Sequence, residues 1–299
     1  MIQLVVGRRH TMLEELTTFC TLGVRFWDAT TDAQIRSGLQ VRVWPEAALR
    51  PVVAADRTYS DIYAFHHLPG LRAVERPLVG ERGTLGSPDS LPFVMEVVDR
   101  ERRFVPAAVG LSLPLPDRGL FLTHLPGSPA PGAPGFYLFS APTRQRAPNI
   151  AVIRGELIND DTGSGAAHAL VRVEIPGETP AYTIADVGGA FAVHLPFPTL
   201  PGGLRRLDRS PPGPPIADRT WQLTVSIFYQ PNLLTPLLGT EYPDVRDIFR
   251  QGRAEFYLES DSPPSVSDRW LGTLDFGGEV VLRTGDRSTL AVVPATSPI

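Results

Sequence analysis

The chain repeats itself, and that repeat limits its folds more than any other feature. The first copy holds Gly23-Val24-Arg25-Phe26-Trp27-Asp28-Ala29-Thr30-Thr31-Asp32, then Val41-Arg42-Val43, then Asp61-Ile62-Tyr63-Ala64-Phe65-His66-His67-Leu68-Pro69. The second holds Val152-Ile153-Arg154-Gly155-Glu156-Leu157-Ile158-Asn159-Asp160-Asp161-Thr162, then Val171-Arg172-Val173, then Asp186-Val187-Gly188-Gly189-Ala190-Phe191-Ala192-Val193-His194-Leu195-Pro196. Val41 and Val171 lie 130 positions apart, and His67 and His194 lie 127 apart. Each copy reads as a strand, an acidic turn, an alternating strand, a turn with Asp, and a strand ending in His-Leu-Pro. Two tandem β-sandwich domains are the simplest account.

Composition agrees. The 299 residues include 31 Pro and 27 Gly, which sit poorly inside helices and exclude a helical bundle. A hydrophobic share of 42% with 20% charged residues is enough for a core and argues against disorder. Strands are expected at Leu39 to Trp44, Phe93 to Val98, Phe104 to Leu113 (an edge or bulge because of Pro106), Ala169 to Ile175 and Trp221 to Tyr229. Trp270 to Leu274 and Glu279 to Leu282 flank Asp275-Phe276-Gly277-Gly278 like the arms of a hairpin. Helices are expected at Thr11 to Phe19, with a Thr11/Glu14 capping box, and at Pro243 to Arg250, where Val245, Ile248 and Phe249 share one face.

The expected organisation is an N-terminal segment 1–20, a first sandwich 21–118, a Pro/Gly-rich linker 119–148, and a second sandwich 149–299 carrying a long Pro-rich loop at 196–219. The apolar start of the chain is short for a signal peptide, and Arg8 and Arg9 follow it instead of preceding it. No stretch approaches the roughly 20 apolar residues of a membrane-spanning helix. The expected location is therefore the cytosol. One cysteine, Cys20, allows no intrachain disulfide and reads as a small buried apolar residue. A net charge of -4 argues against a nucleic-acid partner, although all 28 basic residues are arginine.

The second copy resembles the carboxypeptidase regulatory-like, or transthyretin-like, domain. The resemblance rests on Arg154-Gly155-Glu156-Leu157, on Ala169-Leu170-Val171-Arg172-Val173, and on a T-x-D-x-x-G-x-F hairpin formed by Thr183, Asp186, Gly189 and Phe191. It implies an all-β, Ig-like or transthyretin-like sandwich with short peripheral helices and a non-catalytic scaffold role. A wider likeness rests on Phe139 to Arg144, Ala151 to Leu157, Ala185-Asp186, Leu195 to Pro198 and Leu274 to Thr284. Those segments are similar to uncharacterised proteins of gene clusters for extracellular contractile injection systems, which are phage-tail-like particles. That resemblance implies a subunit of a large assembly.

The search for chemistry returns structural readings. His10, His66, His67, His124, His168 and His194 form no metal-binding motif. Neighbours His66 and His67 on a strand would point to opposite faces. The acidic turns Asp28 to Asp32 and Asn159 to Gly165 offer oxygen ligands of the kind calcium takes, but they lack EF-hand spacing and read as turns. No Walker A loop, G-x-S-x-G or G-x-G-x-x-G is present, so no catalytic residue, cofactor or metal is expected.

The reading that follows is a non-enzymatic structural subunit that contacts other subunits, self-association included. Its expected partner contacts are Pro201, Arg205, Arg206, Pro211 and Pro214 in the Pro-rich loop, and Val245, Ile248 and Phe249 on the helix. The alternative is a glycan- or peptide-binding module in which Trp27, Trp44 or Tyr63 stacks on a sugar.

Overall fold

The computed structural model describes residues 20–75, 90–114, 116–117, 119–120, 135–197, 218–258 and 265–298. The fold is all-β, built as two sandwiches in tandem. In the first, one layer is the antiparallel sheet of Val53–Ala54, Leu39–Pro45, Leu91–Asp99 and Ala107–Leu113, in that order. The facing layer is organised by Leu22–Val24 and Phe26–Asp28, separated by Arg25. Leu22–Val24 pairs antiparallel with Tyr63–Phe65 and parallel with Gly119–Leu120. Phe26–Asp28 pairs parallel with Phe136–Leu138.

The second sandwich repeats this plan. One layer is the antiparallel sheet Ala181–Ile184, Leu170–Glu174, Thr220–Phe228 and Trp270–Asp275. In the other, Ile150–Asn159 pairs antiparallel with Ala190–Pro196 and parallel with two successive pieces, Glu279–Leu282 and Leu290–Val293. The repeat seen in sequence is thus also a repeat of strand order. The 130-residue offset extends to the partner strand as well: Val41 sits opposite Val97, and Val171 opposite Ile227.

Alternation explains the cores. In Leu170–Glu174, Val171 and Val173 point into the second core while Arg172 and Glu174 face away. Phe191, Leu223, Val225, Phe256 and Leu274 complete that core. Phe26, Phe65, Phe93, Met95 and Phe136 fill the first, where Phe26 meets Tyr63 edge-on at 5.2 Å and Phe136 at 5.7 Å.

Four sequence expectations are corrected. Trp270–Asp275 and Glu279–Leu282 are not hairpin arms; they lie in opposite layers, and the turn between them, with Gly277 at φ 73°, carries the chain across the sandwich. The Asp186 turn does the same, because Ala181–Ile184 pairs with Leu170–Glu174 and Ala190–Pro196 with Ile150–Asn159. Turn chemistry is local, but the choice of partner strand is not. The turn itself follows the expected logic: the Asp186 carboxylate accepts from the Gly188 and Ala190 amides, each at 2.9 Å, and Phe191 drops into the core. The third concerns Phe104, which lies outside the strand beginning at Ala107 and forms an isolated bridge with Ser140. The fourth is the helix expected at Pro243 to Arg250. It is one turn, Val245–Ile248, capped by Asp244. The helix expected at Thr11 to Phe19 lies outside the described residues.

The copies differ most between their last two antiparallel strands. Residues 100–106 make that connection in the first sandwich, and residues 229–269 make it in the second. The longer connection folds back onto the first sandwich.

Candidate functional site

Two kinds of surface could meet another molecule: the junction between the sandwiches and the open edges of their sheets. The junction is built by the connection after Phe228. Asp244 is its pivot. Its carboxylate accepts from the Arg246 amide at 2.8 Å, capping the helix, and from the Gly110 amide at 2.9 Å, on the outer strand of the first sandwich. Burial pushes the Asp244 carboxyl up, against those two hydrogen bonds and the charge of Arg246. Arg246 donates to the Gly110 carbonyl at 2.9 Å and to Asp117 at 3.2 Å. The edge strand Ala107–Leu113 is covered in this way, which removes a site of unwanted strand pairing.

Further contacts fix the same junction. The Trp44 indole donates to the Leu238 carbonyl at 2.9 Å, and Thr240 donates to the buried Glu96 at 2.7 Å. Glu96 also pairs with Arg42. Thr183 donates to the Ser140 carbonyl at 3.0 Å; on the second sandwich's own side, fully buried Gln251 ties the connection down by donating to the carbonyls of His168 and Ile248, both at 3.0 Å. Arg144, just before the second sandwich, clamps Asp28 with two guanidinium nitrogens at 2.9 and 2.6 Å. Burial alone would raise the Asp28 carboxyl. The hydrogen bond and charge of Arg144, helped by Thr30 and Thr31, outweigh it and hold Asp28 below the ordinary aspartate value.

Of the expected partner contacts, Pro201, Arg205, Arg206, Pro211 and Pro214 lie outside the described residues. Val245, Ile248 and Phe249 are brought together, but inside the chain. All three are buried in the first core, with the Phe249 ring 5.5 Å from Phe139 and 6.2 Å from Tyr182. The amphipathic face foreseen for a partner is used by the neighbouring sandwich. Trp44 and Tyr63 are buried too, so neither is free to stack on a sugar. Trp27 is half-buried.

The acidic turns are occupied by the protein's own groups. Asp28 serves Arg144, Thr30 and Thr31; in the second turn the Asn159 side chain accepts from the Asp161 amide at 3.0 Å, with Gly163 at φ 70°. Among the described residues no group of three His, Cys, Asp or Glu side chains could hold a metal ion, and no helix is long and apolar enough to cross a membrane.

The open edges are different in character. Trp270–Asp275 is the second-sandwich counterpart of Ala107–Leu113, yet among the described residues its ladder pairs on one side only, with Thr220–Phe228. Leu271 on it is 72% exposed, and Val266 and Val281 stand half in solvent. Such an edge offers backbone donors and acceptors for strand addition.

His168 and His194 give the junction a pH dependence. Burial is the first cause that lowers both imidazoles below 6.5; beside His194 the charge of Arg144 adds to it, and beside His168 Asp186 opposes it. The unfolded chain therefore binds more protons than the folded one below pH 6.5. Their contribution to stability is complete above that value and is lost as pH falls through the folded pKa values. Thermal unfolding followed from pH 8 to pH 5 should show the midpoint dropping, and His194→Gln with His168→Asn should flatten the profile. A wild-type midpoint that stays level across this range would contradict the assignment.

No family model matches the chain, and no curated protein matches it. Solved structures similar to it include the TIE protein of Bacillus anthracis, at 7% identity over 93% of this chain and 34% of that one, with a TM-score of 0.23. The chain thus spans about a third of the TIE protein's length. A C-terminal fragment of the pilus adhesin SpaC from Lactobacillus rhamnosus GG is 10% identical over 93% of this chain and 98% of that one, TM-score 0.22. The shaft pilin SpaA of the same organism is 7% identical over 92% of this chain and 98% of that one, TM-score 0.21. The class is defined by the strand order itself: a tandem, duplicated β-sandwich protein.

Proposed function

We propose that this chain is a non-catalytic structural subunit of a multi-protein assembly, and that the assembly is a contractile-injection, phage-tail-like particle put together in the cytosol. The observation that carries the reading is the asymmetry between equivalent edges. The first sandwich covers its Ala107–Leu113 edge with its own Asp244–Arg246 segment, whereas among the described residues the counterpart Trp270–Asp275 has no strand or segment on its outer side and carries an exposed Leu271. Polar clusters at the junction are consumed in holding the two sandwiches, which suits a rigid building block. The carboxypeptidase regulatory-like character of the second sandwich belongs to the same proposal, whereas the linker expected at 119–148 supplies strands to the first sandwich, Gly119–Leu120 beside Leu22–Val24 and Phe136–Leu138 beside Phe26–Asp28. That character draws support from the Asp186 turn, whose Phe191 is buried in the core, although the turn crosses between layers instead of closing a hairpin.

The Pro-rich loop is proposed as the second contact, since proline limits the entropy lost on docking. Deleting residues 198–215 is expected to leave a folded chain that no longer sediments with a megadalton particle when expressed with its gene neighbours. Co-sedimentation of the deletion at the wild-type level would remove the loop from the interface. Failure of the wild-type chain to sediment with any particle would end the assembly reading itself.

A further inference from the structure

The open edge of the second sandwich has a defined hydrogen-bonding register. Trp270–Asp275 runs antiparallel to Thr220–Phe228 without a break, from Asp275 opposite Thr220 to Trp270 opposite Val225. One step beyond, the Phe276 amide donates to the Arg219 carbonyl at 3.0 Å. In an antiparallel ladder, residues bonded to the partner strand alternate with residues whose backbone groups face the other way. Counting back from Phe276, the backbone groups of Leu274, Gly272 and Trp270 face Thr220–Phe228, and those of Asp275, Thr273 and Leu271 face the open side. The Asp275 carbonyl already accepts from the Gly278 amide at 2.9 Å, and the Arg269 carbonyl from the Ser267 hydroxyl at 2.7 Å. Leu271 and Thr273 are therefore the residues with both an amide and a carbonyl to offer a new strand.

The side chains do not guard this edge. Leu274 is fully buried and Trp270 packs on the same core, while Leu271, Thr273 and Asp275 are exposed on the outer face. Between Trp270 and Leu274 there is no charge, proline or bulge, the devices that usually protect a sheet edge. Charge appears only at the two ends, and with opposite sign: Arg269, 3.6 Å from Asp268, precedes the strand and Asp275 closes it.

We infer that this edge pairs with the same edge of a second copy of the chain, antiparallel, about a two-fold axis at Gly272. In that register Leu271 of each copy opposes Thr273 of the other, and every backbone group the two residues offer finds a partner. Sliding the register either way would oppose one of them to Arg269 or Asp275, whose carbonyls are taken. The same register sets Arg269 of each copy opposite Asp275 of the other, and opposite charges facing across strands stabilise a pair. It also brings the two Leu271 side chains, each 72% exposed in the single chain, to diagonal positions on one face. This self-complementary placement of charge favours a second copy over an unrelated strand. The inference rests on reading this edge as a contact surface, as above, and names its partner.

Sedimentation velocity of the purified full chain over a concentration series should show a reversible monomer–dimer equilibrium. Leu271→Lys, which sets like charges across the axis, should weaken dimerisation at least about tenfold with the circular dichroism unchanged. Thr273→Pro, which removes an outward amide and no bond to Thr220–Phe228, should do the same. Asp275→Arg should also weaken the dimer, and adding Arg269→Asp should restore it. If Thr273→Pro fails to fold, Leu271→Lys and the charge exchange still decide. A chain that stays monomeric throughout, a dimer indifferent to these variants, or a loss in Asp275→Arg that the exchange does not restore would overturn the pairing. A monomeric chain that still sediments with a megadalton particle would sink the self-pairing alone and leave the assembly reading standing; a variant-sensitive dimer that joins no particle would do the reverse.

Discussion

Phe249→Ala should destabilise the chain by about 3–5 kcal/mol, the range for truncating a buried aromatic residue. It should also separate the unfolding of the two sandwiches. Phe249 comes from the second sandwich's long connection but is buried in the first core, against Phe139 and Tyr182. Removing its ring opens a cavity at the junction and spares Val171, Val173, Val225 and Phe256 in the second core. Calorimetry should therefore show one transition in the wild type and two in the variant, the lower belonging to the sandwich that loses the contact. Val187→Ala, on an exposed turn, should leave the profile within about 0.5 kcal/mol of wild type. A single, merely shifted transition in Phe249→Ala would mean that the remaining contacts, Trp44 to Leu238 and Asp244 to Gly110, couple the units without it.

The duplicated plan was legible because its signal is local. Val-Arg-Val alternation marks a strand with one buried face wherever it occurs, and both copies place it in the same ladder position. The junction was not legible for the complementary reason. Val245, Ile248 and Phe249 announce an apolar face, but periodicity cannot say whether that face meets another chain or the preceding sandwich. Phe136–Leu138 escaped notice inside an expected linker: it is three residues long, follows a Pro-rich stretch, and exists as a strand only through its parallel pairing with Phe26–Asp28. The Asp275 to Gly278 turn misled because Asp and Gly serve a hairpin and a layer-to-layer crossing equally well.

Asp28→Ala tests the other half of the junction. Asp28 and Arg144 are both largely removed from solvent, with side-chain exposures of 9% and 17%, and the carboxylate receives two guanidinium nitrogens. Taking away the acid leaves Arg144 in place, held by Ser140 at 2.9 Å and lying 5.1 Å from the centre of the Phe104 ring, without its counter-charge. Breaking a buried pair in this way costs about 3–5 kcal/mol, more than the intact pair contributes over an apolar substitute. The double variant Asp28→Ala with Arg144→Met should therefore recover part of the loss, since no buried charge is left unpaired. Urea unfolding of the two single variants and the double variant closes the cycle, and a coupling of at least about 1 kcal/mol is expected. The pH dependence must follow. Because the folded Asp28 carboxyl lies below 3.8, its contribution is complete above that value and lost as pH falls through the folded pKa, so the wild type should lose its advantage over Asp28→Ala only in strong acid. Additive single-variant losses, with no recovery in the double variant, would show that Asp28 acts through Thr30 and Thr31 in its own turn and that Arg144 does not join the two sandwiches through it.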